Sequence, residues 1–333
     1  MNRKSFTLNR FITDTQSGNP AATREFAALM AHIGLVGKLI DRDLRRAGLN
    51  DILGTTGETN VQGEAVKKLD NIGNDTIVQT FHHTGLVCAL GSEEMEKPLI
   101  LSENWPEGRY MLLFDPLDGS SNTDVNMPMG TIFSVLWHDG AAEPTPADLV
   151  RDGTQQVAAG YLMYGPSLVL VFTTGKGVHE FTLDPDLGEY LLSREGIMMP
   201  RYGTVYSANE GSIRKWIPGA RRFIEYMKDS ESTTGRSYTL RYSGCLAADV
   251  HRLLVGGGIY LYPAQTDKPD GKLRLLYEAN PLAMVVEQAG GRATTGVERI
   301  LAVQPKTLHQ RVPLVIGSVE DVEIADAFIQ GKR

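Results

Sequence analysis

An apolar run that ends in two aspartates constrains this chain more than any other stretch. Tyr110-Met111-Leu112-Leu113-Phe114 leads directly into Asp115-Pro116-Leu117-Asp118-Gly119-Ser120-Ser121-Asn122. The run has the composition of a buried strand. Asp115 then falls at or just past the strand end, where Pro116 fixes φ and favours a turn, so Asp115 and Asp118 can face one small volume. Hard divalent cations such as Mg²⁺ take oxygen ligands, and a turned backbone can add the Leu117 carbonyl between the two carboxylates. Gly119 lacks a Cβ and lets a phosphate approach the main chain, while the amides and hydroxyls of Ser120 and Ser121 supply donors. In isolation the same residues serve equally well as a surface turn.

A second apolar stretch, residues 85–90, is also followed by acids, in Gly91-Ser92-Glu93-Glu94-Met95-Glu96. Two strand ends converging with carboxylates are what a multinuclear Mg²⁺ site requires, because no single turn supplies enough oxygens. Adjacent acids on a solvated loop are the alternative. Upstream, the polar loop Thr59-Asn60-Val61-Gln62-Gly63-Glu64 leads into a helix expected from Ala65. Glu64 and Asp70 need not share a face of it, and as solitary acids they read as a capping residue and a solvated one.

The remaining elements are an α/β alternation. Phe26, Leu29, Met30, Ile33, Val36 and Ile40 mark one or two helices over 23–46, and strands are expected at 130–136, 157–161 and 167–173. His179, Glu180, Asp184 and Asp186 lack metal-site spacing and are expected as surface or hairpin residues. Patternless residues 192–201 suggest a boundary, giving an N-terminal unit over 1–196 and a C-terminal unit over 197–333. In the latter, Asn209 stands at a strand edge, Arg241-Tyr242 precede a helix over 246–254, and Tyr260, Leu261 and Tyr262 lie in a strand. His251, beside Asp249 and Arg252 on that helix, reads as a structural hydrogen-bonder rather than a base. Lys272 and Arg274 precede Glu278 at a helix entrance, and a strand over 313–318 and a helix over 319–329 close the chain.

Acids outnumber bases 40 to 33, which leaves no basic footprint for nucleic acid or a membrane surface. An anionic substrate therefore needs bound metal and a few local cations. Cys88 and Cys245 are the two cysteines and form neither a disulfide framework nor a thiolate metal site. With no apolar segment of leader or membrane-span length, a cytoplasmic protein is expected.

Asp-Pro-Leu-Asp-Gly-Ser-Ser-Asn, with Asn60-Val61-Gln62-Gly63, Lys67-Lys68-Leu69-Asp70 and the string from Gly271 to Leu282, resembles the Mg²⁺-dependent sugar and inositol phosphatases, and within them class 1 fructose-1,6-bisphosphatase. That resemblance implies a layered α-β-α-β-α sandwich with two mixed sheets. It implies hydrolysis of the 1-phosphate of D-fructose 1,6-bisphosphate, in gluconeogenesis or the Calvin cycle, by a homotetramer holding two or more Mg²⁺ per subunit, with Mn²⁺ as a substitute. Sedoheptulose 1,7-bisphosphate is the alternative substrate, and an inositol-type monophosphatase the more distant one. Metal ligands would be Glu93, Asp115, the Leu117 carbonyl, Asp118 and Glu278. Asp70 and Glu94 would serve the water, and Glu64 would reach a metal. The substrate would meet Asp118, Gly119, Ser120, Ser121, Asn209, Arg241, Tyr242, Tyr260, Leu261, Tyr262, Lys272 and Arg274. Ser212 stands where the family has a tyrosine. The family's AMP-inhibition site is matched at Thr23, Glu25 and Tyr110, but Arg24 replaces a glycine, Ala27 a threonine, Arg109 a lysine and Trp137 an arginine, so weak AMP inhibition is expected.

Overall fold

Two mixed sheets organise the residues that the computed structural model describes, which are 6–15, 24–59, 65–104, 108–229 and 235–333. Ahead of the sheets lie α1 (Leu8–Thr15), α2 (Arg24–Arg45), the antiparallel pair β1 (Thr55–Thr59) and β2 (Ala65–Lys67), and α3 (Lys68–His82). The first sheet comprises β3 (Val87–Ser92), β4 (Leu99–Ile100), β5 (Tyr110–Asp118), β6 (Met129–Trp137), β7 (Gln156–Tyr164), β8 (Leu168–Thr173), β9 (Val178–Asp184) and β10 (Glu189–Arg194). Its order is β10-β9-β8-β7-β6-β5-β3-β4, antiparallel except where β3 runs parallel to β5. The chain continues through β11 (Val205–Ala208), α4 (Pro218–Lys228), β12 (Thr239–Leu240), α5 (Leu246–Gly256), β13 (Ile259–Tyr262) and β14 (Leu273–Arg274). It ends with α6 (Asn280–Gln288), β15 (Arg292–Thr294), β16 (Arg311–Val312), β17 (Leu314–Gly317) and α7 (Val319–Ile329). The second sheet has the order β12-β11-β13-β17-β15, with β11 parallel to both of its neighbours.

Strand alternation assigns the layers. On β5, Tyr110, Leu112 and Phe114 pack with Phe26, Met30, Ile33, Ile77 and Phe81 from α2 and α3, whereas Met111 and Leu113 face the opposite core. That second core holds α5 and α6 between the sheets, with Tyr260, Ala293, Leu314 and Ile316 contributed from the second sheet. Every residue of α6 from Asn280 to Val286 is buried, as a helix covered on both sides must be. The far face of the second sheet, carrying Tyr206, Ile259, Leu261 and Val315, is closed by α4 and α7. The layers therefore run α-β-α-β-α, as the resemblance implies.

Several elements differ from the sequence reading. Helix α3 begins at Lys68 rather than Ala65, because Lys67 is extended and its N–H is taken by Asp70 Oδ2 at 2.9 Å. Residues 192–194 belong to β10, and Ile197 and Met199 join the middle core. Glu180 is buried on β9, where Arg194 at 2.7 Å and Ser193 at 2.8 Å satisfy its carboxylate, so it is no surface residue. His251 bonds Tyr161 Oη at 2.9 Å through Nδ1, the structural role its neighbours suggested.

Candidate active site

A β-bulge explains how Asp115 and Asp118 meet. Residues three apart on a strand point to opposite faces, but in the β5–β6 pairing Asp115 stands opposite Ile132 and Asp118 opposite Gly130, so β5 carries one extra residue there. The bulge also tolerates Pro116, whose carbonyl accepts a hydrogen bond from Thr131 Oγ1 at 2.8 Å. Asp115 Oδ1 in turn accepts from the Leu117 amide at 3.0 Å. Gly119 follows at φ +78°, and a Cβ there would stand 2.7 Å from the Cys245 Cβ, so both conformation and space demand glycine. Asn122 then ties the turn down, donating to the carbonyls of Pro128 at 2.9 Å and Ser243 at 3.0 Å.

The third carboxylate arrives from the other half of the chain. Leu275–Ala279 forms a wide π-type turn at the entrance to α6, a local expansion that aims Glu278 back at β5. One oxygen each of Asp115, Asp118 and Glu278 lies within 4.8 Å of the others. Glu93 follows the tip of β3, held by its amide to the Phe114 carbonyl at 3.2 Å, and its carboxylate meets the buried Arg274 guanidinium at 3.0 Å.

This crowding has an electrostatic consequence. Burial first, then the neighbouring Glu93, Asp118, Glu278 and Glu94, pushes Asp115 well above the ordinary carboxylate range. Burial also raises Asp118, against the opposing hydrogen bonds from Ala247, Cys245 and Leu246. Clustered buried carboxylates stay charged only with a compensating cation, and an all-oxygen donor set suits a hard divalent one. Without metal, raised folded values mean that the contribution of Asp115 and Asp118 to stability is present at acid pH and is lost as pH rises through those values. A cation binds the deprotonated acids, so the rise in Tm produced by Mg²⁺ should grow from about pH 5 to about pH 8. Calorimetry with and without Mg²⁺ across that range checks this; a flat or shrinking increment would mean that these acids do not hold the ion.

One cavity of about 540 Å³ gathers most of the residues singled out from sequence. Asp70, Glu93, Glu94, Asp115, Leu117, Asp118 and Glu278 line it, as do Gly119, Ser120 and Ser121. Tyr242, Tyr260, Tyr262, Lys272 and Arg274 complete the lining, Arg274 in contact with Glu93. Asp70 is buried rather than solvated: it accepts from the Lys67 amide at the start of α3 and also borders the cavity. Glu64 and Thr23 lie outside the described residues. Asn209, Arg241 and Leu261 do not line the cavity. The Asn209 side chain instead hydrogen-bonds Tyr242, whose phenol burial pushes up to about 12, and the Arg241 guanidinium turns to the Leu240 carbonyl at 2.9 Å. The Leu261 side chain belongs to the core under α4 and α7. The Ser212 hydroxyl is engaged at home, donating to the Asn209 carbonyl at 3.0 Å and accepting from Trp216 Nε1 at 2.9 Å.

Two contributors escaped the sequence reading. Lys67 lines the cavity and pairs with Asp124, whose other oxygen accepts from the Gly54 amide at 3.0 Å, and its position in Lys67-Lys68-Leu69-Asp70 was the available signal. The start of α5 is the other. Asp118 Oδ1 accepts from the Leu246 amide at 3.1 Å, and Oδ2 accepts from the Ala247 amide at 2.6 Å and Cys245 Sγ at 3.1 Å. No local pattern announces a contact that spans more than a hundred residues.

The five-layer sandwich and its acid-lined cavity define the class, that of the metal-dependent phosphatases. Comparison with known proteins makes it specific. Residues 6–195 match the family model for the fructose-1,6-bisphosphatase N-terminal domain, and residues 199–330 match that for its C-terminal domain. The chain is 52% identical over 332 residues to the class 1 fructose-1,6-bisphosphatase of Trichormus variabilis, covering 99% of this chain and 94% of that protein. It is equally 52% identical to the class 1 enzyme of Chlorobium phaeobacteroides, covering 99% of each. The crystal structure of Leishmania major fructose-1,6-bisphosphatase in holo form superposes with a TM-score of 0.91 at 40% identity, covering 98% of this chain and 99% of that one. The chain belongs to the fructose-1,6-bisphosphatase family.

Proposed function

We propose that this protein hydrolyses the 1-phosphate of D-fructose 1,6-bisphosphate in the presence of Mg²⁺, releasing fructose 6-phosphate and phosphate. The observation that carries the reading is the single cavity lined by the acid cluster, by the Gly119-Ser120-Ser121 cradle and by Tyr242, Tyr262 and Lys272. Two or more Mg²⁺, replaceable by Mn²⁺, would be held by Glu93, Asp115, the Leu117 carbonyl, Asp118 and Glu278. Bound there, they supply Lewis-acid neutralisation of the phosphoryl oxygens.

The chain's own groups do the rest. Asp70 and Glu94, both lining the cavity, orient a water and take its proton as it attacks in line with the departing O1. Amides and hydroxyls of Ser120 and Ser121 receive the reacting phosphate, with Arg274 adding charge beside it. Tyr242, held by Asn209, joins Tyr262 and Lys272 on the 6-phosphate, and Arg241, facing outward, is available to a neighbouring subunit of a homotetramer. No helix among the described residues is long and apolar enough to cross a membrane, which agrees with the cytoplasmic location we assign. Phosphate release from fructose 1,6-bisphosphate, sedoheptulose 1,7-bisphosphate and inositol monophosphate, with and without Mg²⁺, tests the reading. Mg²⁺-dependent turnover should be highest on the first; a preference for the inositol ester would overturn it.

AMP should inhibit weakly. Tyr110 is fully buried, its ring packed between Phe26 at 6.0 Å and Trp137 at 5.2 Å, and the Arg109 guanidinium donates to the Asp139 carbonyl. Trp137, where the family has an arginine, brings no charge to a nucleotide phosphate. Titration of the activity with AMP checks this, and inhibition at micromolar concentration that Tyr110→Phe abolishes would contradict it.

A further inference from the structure

Cys245 occupies an unusual place for a cysteine that is neither paired nor exposed. Its thiol is fully buried at the N-terminus of α5 and faces a carboxylate rather than an apolar wall. Two hydrogen bonds fix its role: Sγ donates to Asp118 Oδ2 at 3.1 Å and accepts from the Ala248 amide at 3.4 Å, as the residue capping α5. Only a side chain that both donates and accepts can do this, because a carboxylate offers no proton and an amide N–H offers no lone pair. The Leu246 and Ala247 amides complete the grip on Asp118 from the same turn of helix. Behind it the Gly119 backbone rests directly on Cys245, so the Asp118-Gly119 turn and the first turn of α5 are locked together.

We propose that Cys245 is a positioning residue for the divalent cation, its S–H orienting the Asp118 carboxylate toward Asp115 and Glu278. This rests on the metal reading given above. A ligand carboxylate must keep one lone pair aimed at its partners while the others are satisfied, and the three donors from α5 leave Asp118 little freedom to turn away. Losing the S–H leaves only the Leu246 amide on Oδ1 and the Ala247 amide on Oδ2, and loosens the carboxylate's orientation without freeing it. The expected signature is weaker cation binding when the donor is lost, whatever the residue volume. Filling space against Gly119 would instead make binding follow size.

The test uses the full chain with Mn²⁺ as probe, its binding followed by electron paramagnetic resonance without substrate, in Cys245→Ser, Cys245→Ala and Cys245→Val. Serine keeps a donor and acceptor and should bind Mn²⁺ within about twofold of the parent protein. Alanine and valine lack the donor, and each should weaken the site by roughly fivefold, the scale of one modest hydrogen bond to a charged group. Valine keeps the bulk, so it decides the matter if the alanine protein does not fold. Unchanged Mn²⁺ affinity in the folded alanine or valine protein, or a loss in serine equal to theirs, would overturn the role of Cys245. Absence of Mn²⁺ binding in the parent protein would instead bring down the metal reading itself, and this inference with it.

Discussion

Replacement of Asp118 by asparagine is expected to lower phosphate release at saturating Mg²⁺ by about a hundredfold or more, a loss of roughly 2.7 kcal/mol of transition-state stabilisation. The substitution keeps the shape but removes one of the charges in the Asp115, Asp118 and Glu278 triangle. Its cost to folding is also predictable. Asp118 accepts from two backbone amides and a thiol with both oxygens, and asparagine must turn its NH₂ toward one of these donors. An unsatisfied buried donor costs about 1–3 kcal/mol, partly offset here by relief of repulsion with Asp115. The measurement is turnover against Mg²⁺ concentration, with a denaturant melt on the same protein. Near-normal turnover in the folded variant would remove Asp118 from the metal site.

That double role marks where sequence reasoning stops. The acids themselves were legible, because Asp115-Pro116-Leu117-Asp118 and Ser92-Glu93-Glu94 each follow an apolar run whose end must deliver them to a sheet edge. The layer order came from the family resemblance, since the continuous apolar run of β5 does not by itself say what covers each of its faces. What stayed hidden depends on partners distant in the chain. Cys245 looks inert beside Gly244 until α5 is docked against β5, and Glu180 looks like a hairpin acid until Arg194 and His251 close over it. The bulge that turns Asp115 and Asp118 to one side is a property of the β5–β6 register, and the proline hints at it without specifying it. Which face of β13 the Leu261 side chain occupies was likewise hidden, since it follows from how α4 and α7 cover that sheet.

The substrate's second phosphate is tested by Lys272. A phosphate held only by neutral donors loses hydration without adequate compensation, and this protein is acidic overall, with a net charge of −7. Lys272 is exposed and lines the cavity together with Tyr242 and Tyr262, so its ammonium can supply the missing charge. The 6-phosphate does not react, so this contact is felt equally in the ground and transition states. Lys272→Ala should therefore raise KM for fructose 1,6-bisphosphate by roughly ten- to a hundredfold, with kcat little changed, the scale of one charge-assisted hydrogen bond. Hydrolysis of fructose 1-phosphate, which has nothing to offer Lys272, should stay within about twofold of the parent protein. Comparing kcat/KM for the two substrates at fixed Mg²⁺ separates the ends of the cavity, because a contact to the reacting phosphate serves both substrates and one to the second phosphate serves only the bisphosphate. An equal loss on both would place Lys272 at the reacting end and reverse the orientation of the substrate.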